Sequence, residues 1–103
     1  MDAGAILALY DDLDFGGALL ALKAGRRIAR KSMPEGCWLV LVPGSTITVA
    51  ADRPLGKAAP ELVGTQVTYS PHIDIHTPDG QISPWAGPTH EQLLAQDWIV
   101  VLD

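Results

Sequence analysis

Residues 69–85 read Tyr69-Ser70-Pro71-His72-Ile73-Asp74-Ile75-His76-Thr77-Pro78-Asp79-Gly80-Gln81-Ile82-Ser83-Pro84-Trp85, the pattern of a β-hairpin. Side chains alternate between the two faces of a strand. Residues 72–76 would therefore send Ile73 and Ile75 into a core and hold His72, Asp74 and His76 together on the opposite side. Pro78-Asp79-Gly80 is turn chemistry, because proline presets φ and glycine is free to take φ > 0. Gln81, Ile82 and Ser83 run back and bring Trp85 to the end of the ladder. Polar side chains in a row beside an exposed aromatic make a surface able to hold a small polar ligand. Nothing in the stretch has the look of a catalytic nucleophile.

Working outward, the 103-residue chain is long enough for one domain with one modest core. With 48% apolar residues it should fold, and its single cysteine excludes an internal disulfide framework or a CxxC site, which suits a reducing cytoplasm. The apolar run Ala3 to Leu9 is too short to span a bilayer, lacks a basic flank and is followed by Asp11, Asp12 and Asp14. It reads as neither signal peptide nor membrane anchor. Residues 1–13 are taken as an N-terminal extension and residues 14–103 as a single domain.

Charge is unevenly placed. Lys23, Arg26, Arg27, Arg30 and Lys31 give one short stretch a charge of +5, and the remainder carries −10. So acidic a body should repel long nucleic acid, whose non-specific binding scales with phosphates neutralised. A compact phosphate ligand needs only two or three donors. The basic cluster therefore has two readings, a solvated strand edge that discourages aggregation or a phosphate clamp built on arginine's planar fork.

Asp14 is placed to N-cap a helix over about residues 15–24, with Phe15, Ala18, Leu19 and Leu22 on one stripe and Gly25 as its left-handed stop. Arg26 to Lys31 follows as a strand with Arg26, Ile28 and Arg30 on one face. Cys37 to Val42 is apolar at every position, the mark of a strand buried on both faces, which makes Trp38 a core residue. Pro43-Gly44-Ser45 then turns into a strand over Thr46 to Val49, giving a hairpin. Ala50 to Gly64 reads as a long irregular loop, of the kind often functional or held by a partner chain. Gln66 to Tyr69 begins the next strand. Thr89 with Gln92 is a capping box for a short helix over His90 to Ala95, whose first amides could receive an anion. Asp97 to Leu102 is the last strand. The fold class is α+β: a mainly antiparallel sheet of hairpins, with an N-terminal helix and a short helix before the last strand.

Two chemistries compete for the polar residues. His72, Asp74 and His76 could form a metal-binding facial triad, as in a metal-dependent phosphoesterase, although an HxDxH without a fourth ligand is a short motif. Alternatively the chain is a binding module without cofactor or metal. Trp85, Trp98, Tyr69 and Trp38 would offer rings for a nucleobase, each stack being worth about 1–3 kcal/mol. The arginines and the amides at Thr89 to Glu91 would offer anion donors. Ser45 and Ser70 lack a nucleophile elbow, and Gly44-Ser45-Thr46 lacks the lysine and glycine spacing of a P-loop.

The order of motifs adds a further indication. Asp14-Phe15-Gly16, the run from Ala18 to Gly25, Ile28 to Lys31, Trp38-Leu39, Val42-Pro43-Gly44-Ser45-Thr46-Ile47-Thr48-Val49, Tyr69-Ser70-Pro71-His72-Ile73-Asp74, Asp79-Gly80, Pro84-Trp85 and Ala95-Gln96-Asp97-Trp98 follow one another as in a known family. In these the chain resembles the phage Thoeris anti-defence two family of small signal-sequestering proteins, over nearly all of its length after residue 13. The resemblance implies a non-enzymatic sponge, working in the cytoplasm of the infected bacterial host. It implies a homotetramer that traps cyclic ADP-ribose-type signals of Thoeris defence between subunits. Some members also hold cyclic di- or trinucleotides of cGAS-like (CBASS) defence at a separate site. On this reading Arg30 meets phosphate, Trp85 stacks, Thr89 and His90 present the helix start, and His72 and Asp74 take ribose or base hydroxyls. The chain departs from the family pattern at Met33, where a tryptophan is usual, and at His76, where lysine is frequent.

Overall fold

A computed structural model describes residues 11–102, so the expected extension over 1–13 lies mostly outside the described residues. In chain order the strands are β1 (Arg27–Arg30), β2 (Trp38–Val42), β3 (Ser45–Thr48), β4 (Gln66–Tyr69), β5 (His72–His76), β6 (Ile82–Pro84) and β7 (Trp98–Val101). The helices are α1 (Phe15–Lys23), α2 (Pro54–Ala58) and α3 (His90–Leu94), with a 3-10 turn at Pro60–Leu62. The described chain divides into two compact units, one running to Val42 and resuming at Ile73, the other spanning Pro43–His72. The class is α+β on mainly antiparallel sheets, with the N-terminal helix α1 and the short α3 before the last strand where the sequence pattern places them.

In the first unit the Asp14 carboxylate accepts the Gly17 amide at 2.8 Å and starts α1. The helix ends in a Schellman arrangement, with the Arg26 amide on the Ala21 carbonyl at 3.0 Å and the Gly25 amide on the Leu22 carbonyl at 2.9 Å. Gly25 takes φ +87°, which a side chain would strain. The sheet runs β6-β5-β2-β1-β7. Strand β1 is antiparallel to both β2 and β7, and Ile28 faces Leu39 on one side and Val100 on the other. Ala18 and Leu22 of α1 close over Ile28, Leu39 and Trp98 to form the core, with Ile73 and Ile75 packed against it. Full burial of a large apolar side chain contributes roughly 1.5–3 kcal/mol, so this cluster dominates the unit's stability.

The second unit is a β3–β4 ladder with α2 and the 3-10 turn in the connection. Val49 is its buried apolar residue, and the Gly64 amide returns to the Val49 carbonyl at 2.9 Å.

Four expectations need correction. Strand β2 is not buried on both faces: Leu39 is, whereas Trp38 and Val40 on the other face are half-buried, so Trp38 is not core. Strands β2 and β3 do not form a hairpin, because both edges of β2 are already taken by β1 and β5, and β3 pairs with β4 instead. Gly44 marks the change of sheet, since a Cβ there would lie 2.6 Å from the Tyr69 carbonyl oxygen. The segment 50–64 is not an irregular loop: Pro54 and Pro60 each stand at the first helical position, where proline's missing N–H does no harm. Finally, the arginine-bearing β1 is an interior strand, not a solvated edge.

Among the described residues no helix is long and apolar enough to cross a membrane. Replacing the cap, Asp14→Ala, should lower the unfolding free energy by about 1 kcal/mol in urea titrations with an unchanged m-value. An unaltered midpoint would mean the cap contributes nothing to α1.

Candidate functional site

Register decides what Arg30 meets. It lies opposite Trp98 in the β1–β7 ladder, one residue from Asp97. Its Nε donates to Asp97 Oδ1 at 2.7 Å, Nη2 to Asp97 Oδ2 at 3.3 Å, and Nη1 to Glu91 Oε1 at 3.4 Å. The fork that could grip phosphate is thus closed on Asp97 and loosely touched by Glu91. The Arg30 side chain is 15% exposed and that of Glu91 83%. Arg30's hydrogen bonds hold the Asp97 carboxyl below the usual carboxylate range, and Asp97 in turn raises the guanidinium.

Glu91 belongs to the first turn of α3, where two further expected residues sit. The Thr89 hydroxyl accepts the Gln92 amide at 3.1 Å and the Gln92 side chain accepts the Thr89 amide at 2.8 Å, completing the capping box. Among the described residues that leaves the amides of His90 and Glu91 as the turn's uncapped donors. Trp85 closes the group. A Cβ on Gly87 would fall 2.3 Å from the Trp85 ring and 2.5 Å from Gln92 Oε1, so only glycine lets the indole lie against the cap. Arg30, Trp85, Thr89 and His90 are therefore gathered around one helix start.

Trp85 is not a free-standing platform. It is half-buried, with its ring 6.4 Å from Phe15 and 6.3 Å, edge-on, from Trp98. Trp98, also considered as a stacking surface, is fully buried, and its indole N–H donates to the Gln92 carbonyl at 2.9 Å. It belongs to the core.

The structure does not assemble His72, Asp74 and His76 as ligands. Among the described residues no group of three His, Cys, Asp or Glu side chains could hold a metal ion. His72 is exposed, its Nδ1 3.3 Å from the Ser70 carbonyl. Asp74 is half-buried opposite Pro84 of β6. His76 stacks on Trp38 at 4.4 Å between centroids and 6° between planes, and its Nδ1 lies 2.8 Å from the Gly36 carbonyl oxygen. A carbonyl only accepts, so that bond fixes Nδ1 as the protonated nitrogen.

Sequence reasoning missed the layer this creates. Arg27 lies over the Trp38 ring at 4.1 Å to its centroid, so Trp38 carries a guanidinium and an imidazole. Period-two alternation does place Arg27 apart from Ile28, and Trp38 and His76 apart from Leu39 and Ile75. The lateral register that brings three strands' residues together has no local signal. Lys31 is likewise engaged, with Nζ 2.6 Å from Asp12 and 3.0 Å from Asp11. The basic cluster is therefore largely answered within the molecule.

A carboxyl held below its ordinary pKa stabilises the fold above the ordinary carboxylate range and loses that contribution as pH falls through its folded-state value. Asp97→Asn should accordingly melt at lower temperature than wild type at pH 7, with the gap narrowing below about pH 4. Thermal scans at pH 7 and pH 3 check this, and a pH-independent gap would contradict it. Gly87→Ala should displace the Trp85 ring, seen as a change in near-ultraviolet circular dichroism, and cost about 1–3 kcal/mol of stability.

No match is found among curated proteins. The model of the Thoeris anti-defense 2-like (Tad2-like) domain matches residues 13–101, from the Leu13 bridge to the end of β7. That span takes in every described helix and strand, and the chain belongs to the Thoeris anti-defense 2-like family.

Proposed function

We propose that the protein is a phage anti-defence factor that binds a cyclic nucleotide-derived immune signal and withholds it without cleaving it. The observation that carries this reading is the family match over residues 13–101. Its ligand is a cyclic ADP-ribose-type molecule of Thoeris defence, and cyclic di- or trinucleotides are secondary ligands. The protein acts as a homotetramer in the cytoplasm of the infected host.

The geometry supports a binding role at the start of α3. The Nη1 edge of Arg30 is its adaptable side, because its contact to the exposed Glu91 is long, at 3.4 Å, while Asp97 anchors Nε and Nη2. A phosphate that displaces Glu91 gains a guanidinium already held in place, together with the His90 and Glu91 amides. Trp85 offers its remaining exposed area to a base, and Asp74, opposite Pro84 in the β5–β6 pair, offers a polar group for a ribose or base hydroxyl. The phosphoesterase alternative has no such support, since His76 is committed to Trp38 and Gly36.

Purified protein incubated with cyclic ADP-ribose isomers, washed, heat-denatured and analysed by mass spectrometry should release the signal at its original mass. A hydrolysed product would overturn the sponge reading. Glu91→Gln removes the carboxylate competing for Nη1 and should tighten retention about two- to fivefold, the range expected for losing one exposed ion pair. Weaker binding would remove Arg30 Nη1 from the site.

A further inference from the structure

The Pro43–His72 unit contains a cavity that the preceding reading does not use. Pairing in the β3–β4 ladder places Ser45 opposite Tyr69 and Ile47 opposite Val67, so these four share one face. Thr46, Thr48, Gln66 and Thr68 share the other, where the Thr46 and Thr68 hydroxyls lie 2.9 Å apart. Ile47 and Tyr69, with Val49, Arg53 and Leu55, line a cavity of about 590 Å³, within the size range of small-molecule sites. Val49 forms its buried floor, while Ile47, 40% exposed, and Tyr69, 43% exposed, remain open at its wall.

Charge indicates what would fill it. Arg53 is exposed and, among the described residues, its guanidinium makes no hydrogen bond or ion pair, in contrast to Arg30. The unit holds both basic residues outside the 23–31 cluster, Arg53 and Lys57, against Asp52 and Glu61. It is therefore formally neutral in an otherwise acidic chain. An apolar floor with one aromatic ring and one uncommitted guanidinium at its wall is complementary to a flat ring bearing a negative group.

We propose that this cavity is a binding site for a planar aromatic anion, with the ring against Tyr69 and Ile47 and the anionic group on Arg53. The proposal does not rest on the α3 site. Nucleoside monophosphate and aromatic carboxylate share this chemistry, and the test separates them. Isotope-labelled full-length protein is titrated with AMP, with uncharged adenosine and with 4-hydroxyphenylacetate, following backbone amides. The anions should shift amides of residues 45–55 and 66–69, AMP binding about tenfold more tightly than adenosine, a gap typical of one charge-assisted contact. Arg53→Gln, an exposed change, should abolish that gap. Tyr69→Leu should weaken both nucleoside ligands severalfold, with the melting temperature serving as a check on folding. If 4-hydroxyphenylacetate binds and AMP does not, the site stands and its ligand is an aromatic acid. Shifts confined to the neighbourhood of Arg30 and His90, an Arg53→Gln protein that still prefers AMP, or saturation by none of the three probes would overturn the proposal without touching the α3 reading.

Discussion

Burial of Trp98 is the constraint on which the first unit depends. Its ring fills the space between α1 and the sheet and meets Phe15 edge-on at 5.6 Å. An indole so deeply placed must find an acceptor for its N–H, and it finds the Gln92 carbonyl in α3. One side chain thereby ties the last strand, the first helix and the last helix into a single packing arrangement. The same backbone segment carries Asp97, so positioning the ring also positions the carboxylate that holds Arg30. The polar cluster and the core are two faces of one register.

That register explains why so little of the basic stretch remains available. Arg30 lies on Asp97 and Glu91, Lys31 on Asp11 and Asp12, and Arg27 over Trp38. Exposed pairs of this kind are individually weak. Their structural effect is larger than their energy, because each fixes the direction of a long side chain on a short strand. The Asp97 fork is the best of them, with two contacts from one guanidinium to one carboxylate and limited solvent access.

Local elements were legible in the sequence because local rules set them. The Asp14 cap, the Gly25 stop, the 78–80 turn with Gly80 at φ +87°, and the Thr89–Gln92 capping box each rest on contacts only a few residues apart. The Asp79 carboxylate, pulled below its usual pKa by the Thr77 hydroxyl, belongs to the same class of turn contact. What escaped was lateral. Nothing local to β2 says that its neighbours are β1 and β5, and nothing local to β3 says that it leaves for β4. Trp38 departs from expectation for this reason, since an apolar strand with one covered face has the same composition as one covered on both. Of the candidate site residues, the placement of Thr89 and His90 at a helix start and of Trp85 beyond the end of the β5–β6 hairpin follows from capping and turn chemistry. The partners of Arg30 lie 61 and 67 positions away and were not.

The internal pairing of cations also bears on how charged molecules approach. A chain with net charge −5 whose strongest basic cluster is turned toward its own acids presents a repulsive far field to any anion. Mobile ions shorten the reach of that repulsion, to roughly 8 Å at physiological ionic strength. Encounter with an anionic small molecule would therefore quicken as salt is added, the reverse of electrostatic steering onto a basic surface. Whatever such a molecule gains here, it gains only after arrival, from groups within touching distance.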